Sequence, residues 1–181
     1  MYEIEISTAL PARLRYSHAE YFRNQYIIHC GPPIDSYWLM IGYFDAFLFS
    51  LASVYDMADR PVQIQLEKID SFRFFKALRN ITAHHSILAA TVSGNKFPPP
   101  FSRILSLSIG GPRDDSARMF LRLDQLRDIL DAVELERPSE KRNIDAARNY
   151  ISQLESKGTK LYLENLMTEA LSAVNAVLPY V

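Results

Sequence analysis

The sequence predicts an all-α domain carrying one small β element, and three observations lead there. Apolar residues recur at steps of three and four through most of the chain, the spacing of one face of a helix. Proline and glycine clusters fall between those runs, as helix breakers should. Over about residues 102–123 the period shortens toward two, with serines between apolar residues and a Gly110-Gly-Pro-Arg-Asp-Asp-Ser turn. With 181 residues, 48% hydrophobic and 23% charged, the chain has ordinary globular composition and the size of one domain. Its expected parts are a helical core over about 10–92, a β-hairpin over 102–123 and further helices over 124–178.

Taken in order, Tyr2 to Ser7 alternates polar and apolar, as a short strand or arm. Pro11 suits a first helical turn, and Leu10, Leu14, Ser17, Tyr21 and Ile28 form a stripe that ends at Cys30-Gly-Pro-Pro. Asp35 or Ser36 is placed to cap the next helix. Trp38 to Tyr55 is then almost continuously apolar, as long as a membrane span. Asp45 lies in its middle, where hydrocarbon would charge about 2.5–3.5 kcal/mol for it, and no basic flank sets an orientation. The expectation is the centre of a soluble bundle, with enough apolar surface for a second copy. Asp45 would there need a hydroxyl or a basic neighbour.

Asp59-Arg60-Pro61 breaks the chain before a short helix with Val62, Leu66 and Ile69. Next comes Ser71 to Leu88, with Asp70 or Ser71 as the expected cap and Ser93 to Pro100 as the stop. Beyond the hairpin, Asp124 is expected to cap a helix with Leu126, Ile129, Leu130 and Val133. Pro138-Ser-Glu opens another with Ile144, Ala147, Ile151 and Leu154, closed by Gly158. Leu161, Leu163, Leu166, Ala170, Val174 and Val177 mark the last.

Net charge is −1, so the chain is no polycation, but seven Lys or Arg stand against three acids from Asp59 to Arg103. That local excess is the one candidate surface for nucleic acid. The lone Cys30 excludes an internal disulfide and a Cys-based zinc site, and the Met-Tyr-Glu-Ile-Glu-Ile start has no signal-peptide character. The cytoplasm is the expected location, without membrane, metal or cofactor.

The chemistry concentrates in Ser71–Leu88. One stripe there is apolar: Phe74, Leu78, Ile81, His85 and Leu88. A second is polar and basic: Arg73, Lys76, Asn80 and His84, with Asn80 and His84 four apart on one face. The segment Arg79-Asn80-Ile81-Thr82-Ala83-His84 resembles the Arg–(four to six residues)–His signature of the HEPN superfamily, the higher eukaryotes and prokaryotes nucleotide-binding domain. The resemblance covers Phe72–His85 and extends over Ser36–Val92.

It implies an antiparallel HEPN-type helical bundle and a metal-independent endoribonuclease of toxin or defence type. The partners implied are RNA, a second copy of the chain and an antitoxin-like protein. In such enzymes the 2′-hydroxyl attacks the adjacent phosphate, leaving a 2′,3′-cyclic phosphate. The residue types suit that step. A histidine near its ordinary pKa of about 6.5 can take or give the proton. An arginine fork can bind two phosphorane oxygens and never loses its charge. Asn80 can orient either by hydrogen bonds.

Arg79, Asn80 and His84 are therefore the expected catalytic set, Arg73 and Lys76 the phosphate contacts, and Asp45 and His85 buried support. Arg79 and His84 stand roughly 140° apart around one helix at 100° per residue. A complete site then needs two motif helices, one from each protomer. The rival expectations are a HEPN module that binds nucleotide or partner without cutting, and a structural dimer.

Overall fold

A computed structural model describes residues 9–30, 37–80, 105–109, 117–121, 123–136, 141–157 and 161–179. The chain is predominantly helical, as its periodicity predicts. In chain order the elements are α1 (Leu10–Ile28), α2 (Tyr37–Met57), α3 (Arg60–Leu66), α4 (helical over 70–80), β1 (Leu105–Ile109), β2 (Ala117–Leu121), α5 (Leu123–Glu136), α6 (Lys141–Ser156) and α7 (Leu163–Asn175).

Helix α2 is the centre. It buries Met40, Ile41, Phe44, Phe47, Leu48, Leu51, Ala52 and Val54. Among the described residues it is the one helix long and apolar enough to cross a membrane, over Leu39–Met57, and half of that window is buried within the fold. Helix α1 lies along it in the opposite sense, the His29 ring meeting the Tyr43 ring at 5.1 Å.

The face α1 buries is Ala12, Tyr16, Ala19 and Tyr26. The larger residues of the sequence stripe point outward: Leu10, Leu14, Tyr21 and Ile28 are 46%, 55%, 55% and 68% exposed. Both sets have helical spacing. The buried one wins because two alanines let the α1 backbone come close to a neighbour already crowded with Phe and Leu, while two tyrosines fill the remaining gaps.

Asp59 both breaks the chain and caps α3, its carboxylate accepting from Val62 N–H at 3.1 Å. Gln63 reaches back and donates to the Tyr55 and Ala58 carbonyls at the end of α2. Helix α4 starts one residue earlier than expected: the Arg73 amide bonds the Ile69 carbonyl at 3.0 Å, so Ile69 holds the cap position. Ser71 is buried, and Asp70 accepts from Gln153 of α6 at 3.0 Å instead.

Three phenylalanines of α4 join the layers. Phe75 meets Phe47 at 5.3 Å and Phe44 at 6.3 Å, both edge-on, and Phe72 stacks on Tyr55 at 6.4 Å. Phe74 turns the other way, to Tyr150 of α6 at 5.1 Å. The β strands pair antiparallel in the register Leu105↔Leu121, Leu107↔Met119 and Ile109↔Ala117. Helices α5 and α6 run antiparallel, pinned by Arg127–Glu155 at 2.6 Å and Arg148–Asp131 at 2.5 Å. Asp124 lies inside the first turn of α5 rather than capping it, where its charge still favours the helix start.

Helix α7 returns to α1. There the Arg13 guanidinium bonds Asn175 Oδ1 at 2.5 Å and the carbonyls of Leu178 and Pro179 at 2.6 and 2.8 Å. Residues of α1–α7 share one hydrophobic core. The expected caps Asp35 and Ser36 and the closing Gly158 lie outside the described residues.

Candidate functional site

The basic stripe of α4 emerges along the edge of α2. Phe72, Phe74, Phe75, Ala77 and Leu78 are buried, which leaves Arg73, Lys76, Arg79 and Asn80 only partly so. The two helices run in opposite senses: Phe72 is level with Tyr55 and Phe75 with Phe47 and Phe44, while the long Arg79 side chain reaches back to Phe49.

Arg79 is the most constrained of the four. Its guanidinium carbon lies 5.3 Å from the centroid of the Phe49 ring, a cation–π placement. Its Nη1 donates to Asn80 Oδ1 at 3.1 Å. Its Nε is enclosed and, among the described residues, without a hydrogen-bond partner. The adjacent Arg-Asn pair is thus a preformed fork, with Asn80 fixing one arm. Phe49 beneath it is 43% exposed, a large apolar ring on the open side of α2.

Asp45 stands one turn before Phe49 on α2. Among the described residues no hydroxyl and no basic residue satisfies its Oδ1, which is enclosed with no hydrogen-bond partner. Burial alone pushes its carboxyl up to about 6. The open side of α2 continues through Gly42, where nothing lies within 4 Å of the position a Cβ would take.

The other two basic residues are already engaged. Arg73 donates to the Arg142 carbonyl at 2.9 Å. The Lys76 ammonium sits 3.4 Å from the Tyr55 ring centroid. Tyr55 donates to Glu67 at 2.5 Å, and Arg142 reaches the same carboxylate at 3.3 Å. The Tyr55 hydroxyl holds the Glu67 carboxyl below its usual range, and the Glu67 carboxylate in turn raises Tyr55. Arg73 and Lys76 therefore form the rim of a bonded cluster that ties α2, α3, α4 and α6 together.

The structure brings Arg79 and Asn80 into direct contact. His84 and His85 lie outside the described residues. Phe49, Tyr55 and Glu67 were not expected at this site. In sequence Phe49 and Tyr55 are two aromatics in an apolar run, and only the antiparallel pairing of α2 with α4 puts a cation over each. Among the described residues no group of three His, Cys, Asp or Glu could hold a metal ion.

No family model, curated protein or solved structure matches the chain.

Proposed function

We propose that the chain is a metal-independent endoribonuclease of toxin or defence type, with Arg79, Asn80 and His84 as its catalytic set. The supporting observation is the Arg79 fork: a guanidinium 5.3 Å from the Phe49 ring centroid, steadied by Asn80. Such a fork suits two non-bridging oxygens of a phosphorane. His84 then moves the proton between the 2′-hydroxyl and the leaving 5′-oxygen, and the product carries a 2′,3′-cyclic phosphate. Arg73 and Lys76 extend the positive edge toward neighbouring phosphates.

In this reading the bundle is of HEPN type, the paired strands form a β-hairpin inserted before the C-terminal helices, and α2 is the central helix of a cytoplasmic protein. A homodimer places two α4 helices about one cleft. That closes the separation of Arg79 and His84 around a single helix, and exposed Leu39 and Met57 of α2 supply apolar surface for it. A toxin of this kind is held in check by an antitoxin-like partner.

The test is cleavage of single-stranded RNA by purified protein in the presence of a chelator. Arg79→Ala and His84→Ala should each lower the rate by about 10²–10³-fold, the usual cost of removing one charge-stabilising or proton-transferring group. A mixture of the two variants should regain part of the activity, because a heterodimer rebuilds one intact composite site. If the wild type cuts no RNA, or the His84→Ala chain cuts as well as its parent, the reading fails and a non-cutting binding module replaces it.

A further inference from the structure

We propose that the face made by Asp45, Phe49 and Arg79 reads one base of the RNA, with Phe49 and the Arg79 guanidinium as the stacking platform and the Asp45 carboxylate as the selector for guanine. The inference rests on the RNA-cleaving reading above and adds a specificity to it.

Three observations converge on one stretch of surface. Phe49 is a half-exposed ring with the Arg79 guanidinium 5.3 Å from its centroid. An aromatic ring and an arginine plane are the two surfaces on which unpaired bases stack. Asp45 is four residues before Phe49, so the two side chains project from the same side of α2, about 5–6 Å apart at Cβ. Its Oδ1 is closed off with no hydrogen-bond partner. Such a group costs stability that Ala or Leu would not, so it calls for a role. Beside them Gly42 leaves open space, with nothing within 4 Å of a Cβ position, room for a sugar next to a stacked base.

The selection follows from hydrogen-bond complementarity. An ionised carboxylate only accepts. The Watson–Crick edge of guanine offers two adjacent donors, N1–H and the 2-amino group, which the open oxygen can receive together in a three-centre contact. Cytosine and adenine each offer one donor beside an acceptor, and uracil one donor between two acceptors. Each of these sets an acceptor against an acceptor, which the partly enclosed Asp45 cannot relieve with water. Near pH 7.5 the carboxyl, pushed up to about 6, is in its accepting form.

The experiment uses short oligouridylates carrying a single central G, A or C. Cleavage is mapped by position. Binding is measured on the same oligomers with a 2′-deoxy central residue, which removes the attacking hydroxyl. The wild type should favour the G oligomer by roughly tenfold or more, the discrimination typical of one good two-bond base contact. Asp45→Asn offers one acceptor and one donor, and should shift the preference toward A or C. Asp45→Ala should abolish preference without creating a new one. Phe49→Ala should weaken binding of all three oligomers by roughly tenfold and keep their order. Cutting without guanine preference, or a preference that survives Asp45→Ala, overturns this inference and leaves the ribonuclease standing. Failure to bind or cut any oligomer removes the ribonuclease reading and this inference with it.

Discussion

A carboxyl group enclosed without a partner works against its own fold whenever it is charged. Burial raises Asp45 to about 6 from 3.8, so between those values the folded chain binds more protons than the unfolded one. Stability therefore falls as pH rises from about 4 through about 6 and stays lower above. Asp45→Asn removes the charge with little change of shape. Its melting temperature should exceed the wild type's most at pH 8, and the gap should narrow below pH 6 and vanish near pH 4. Two melting curves running parallel across that range would show that the carboxyl is not the cause. At this scale the sequence was partly legible. The polar stripe of Arg73, Lys76 and Asn80 could be read from spacing alone, and the structure leaves all three partly exposed. That Asp45 lacks a partner could not be read, because it depends on which side chains the neighbouring helices turn toward it. The ring beneath Arg79 was hidden for the same reason.

Helix α1 shows why periodicity identifies a helix more surely than its orientation. Its sequence holds two stripes of helical spacing, Leu10-Leu14-Ser17-Tyr21-Ile28 and Ala12-Tyr16-Ala19-Tyr26. Side-chain size favours the first as the core face. Packing chose the second, since small residues allow close approach to a bulky α2. In α4, α6 and α7 apolar size and burial agree, and the expected Phe74, Ile144, Ile151, Leu166 and Val174 are all buried. Helix α2 carries a glycine in its interior that no neighbour requires. Gly42 meets nothing within 4 Å of a Cβ position, so Gly42→Ala should raise stability by about 0.5–1 kcal/mol through the unfolded chain's lost freedom. Urea unfolding measures this. A loss of stability would mean that this side of α2 is covered in solution.

Across the whole molecule, helical content was legible because each helix carries its own period and its own breakers. The joining of the C-terminal helices to the first four was not, because it rests on pairs far apart in the chain: Phe74 with Tyr150, Asp70 with Gln153, and Arg13 with Asn175, Leu178 and Pro179. The last group is a single arginine holding the end of the α7 segment against α1. Arg13→Ala should lower stability by about 2 kcal/mol, the scale of hydrogen bonds to a charged donor in a partly exposed place. Urea unfolding checks it, and an unchanged midpoint would show the clamp to be ornamental.

That clamp also orders events during synthesis. Arg13 precedes Leu178 by 165 positions. At about 5–20 residues per second a ribosome needs roughly ten to thirty seconds to travel that distance. Helix α1 therefore emerges long before the carbonyls that receive its arginine, and its two apolar stripes, Leu10 to Ile28 and Ala12 to Tyr26, wait in the open together. α1 can settle against α2 in that interval. The join to α7 has to wait until translation has delivered the last of its partners.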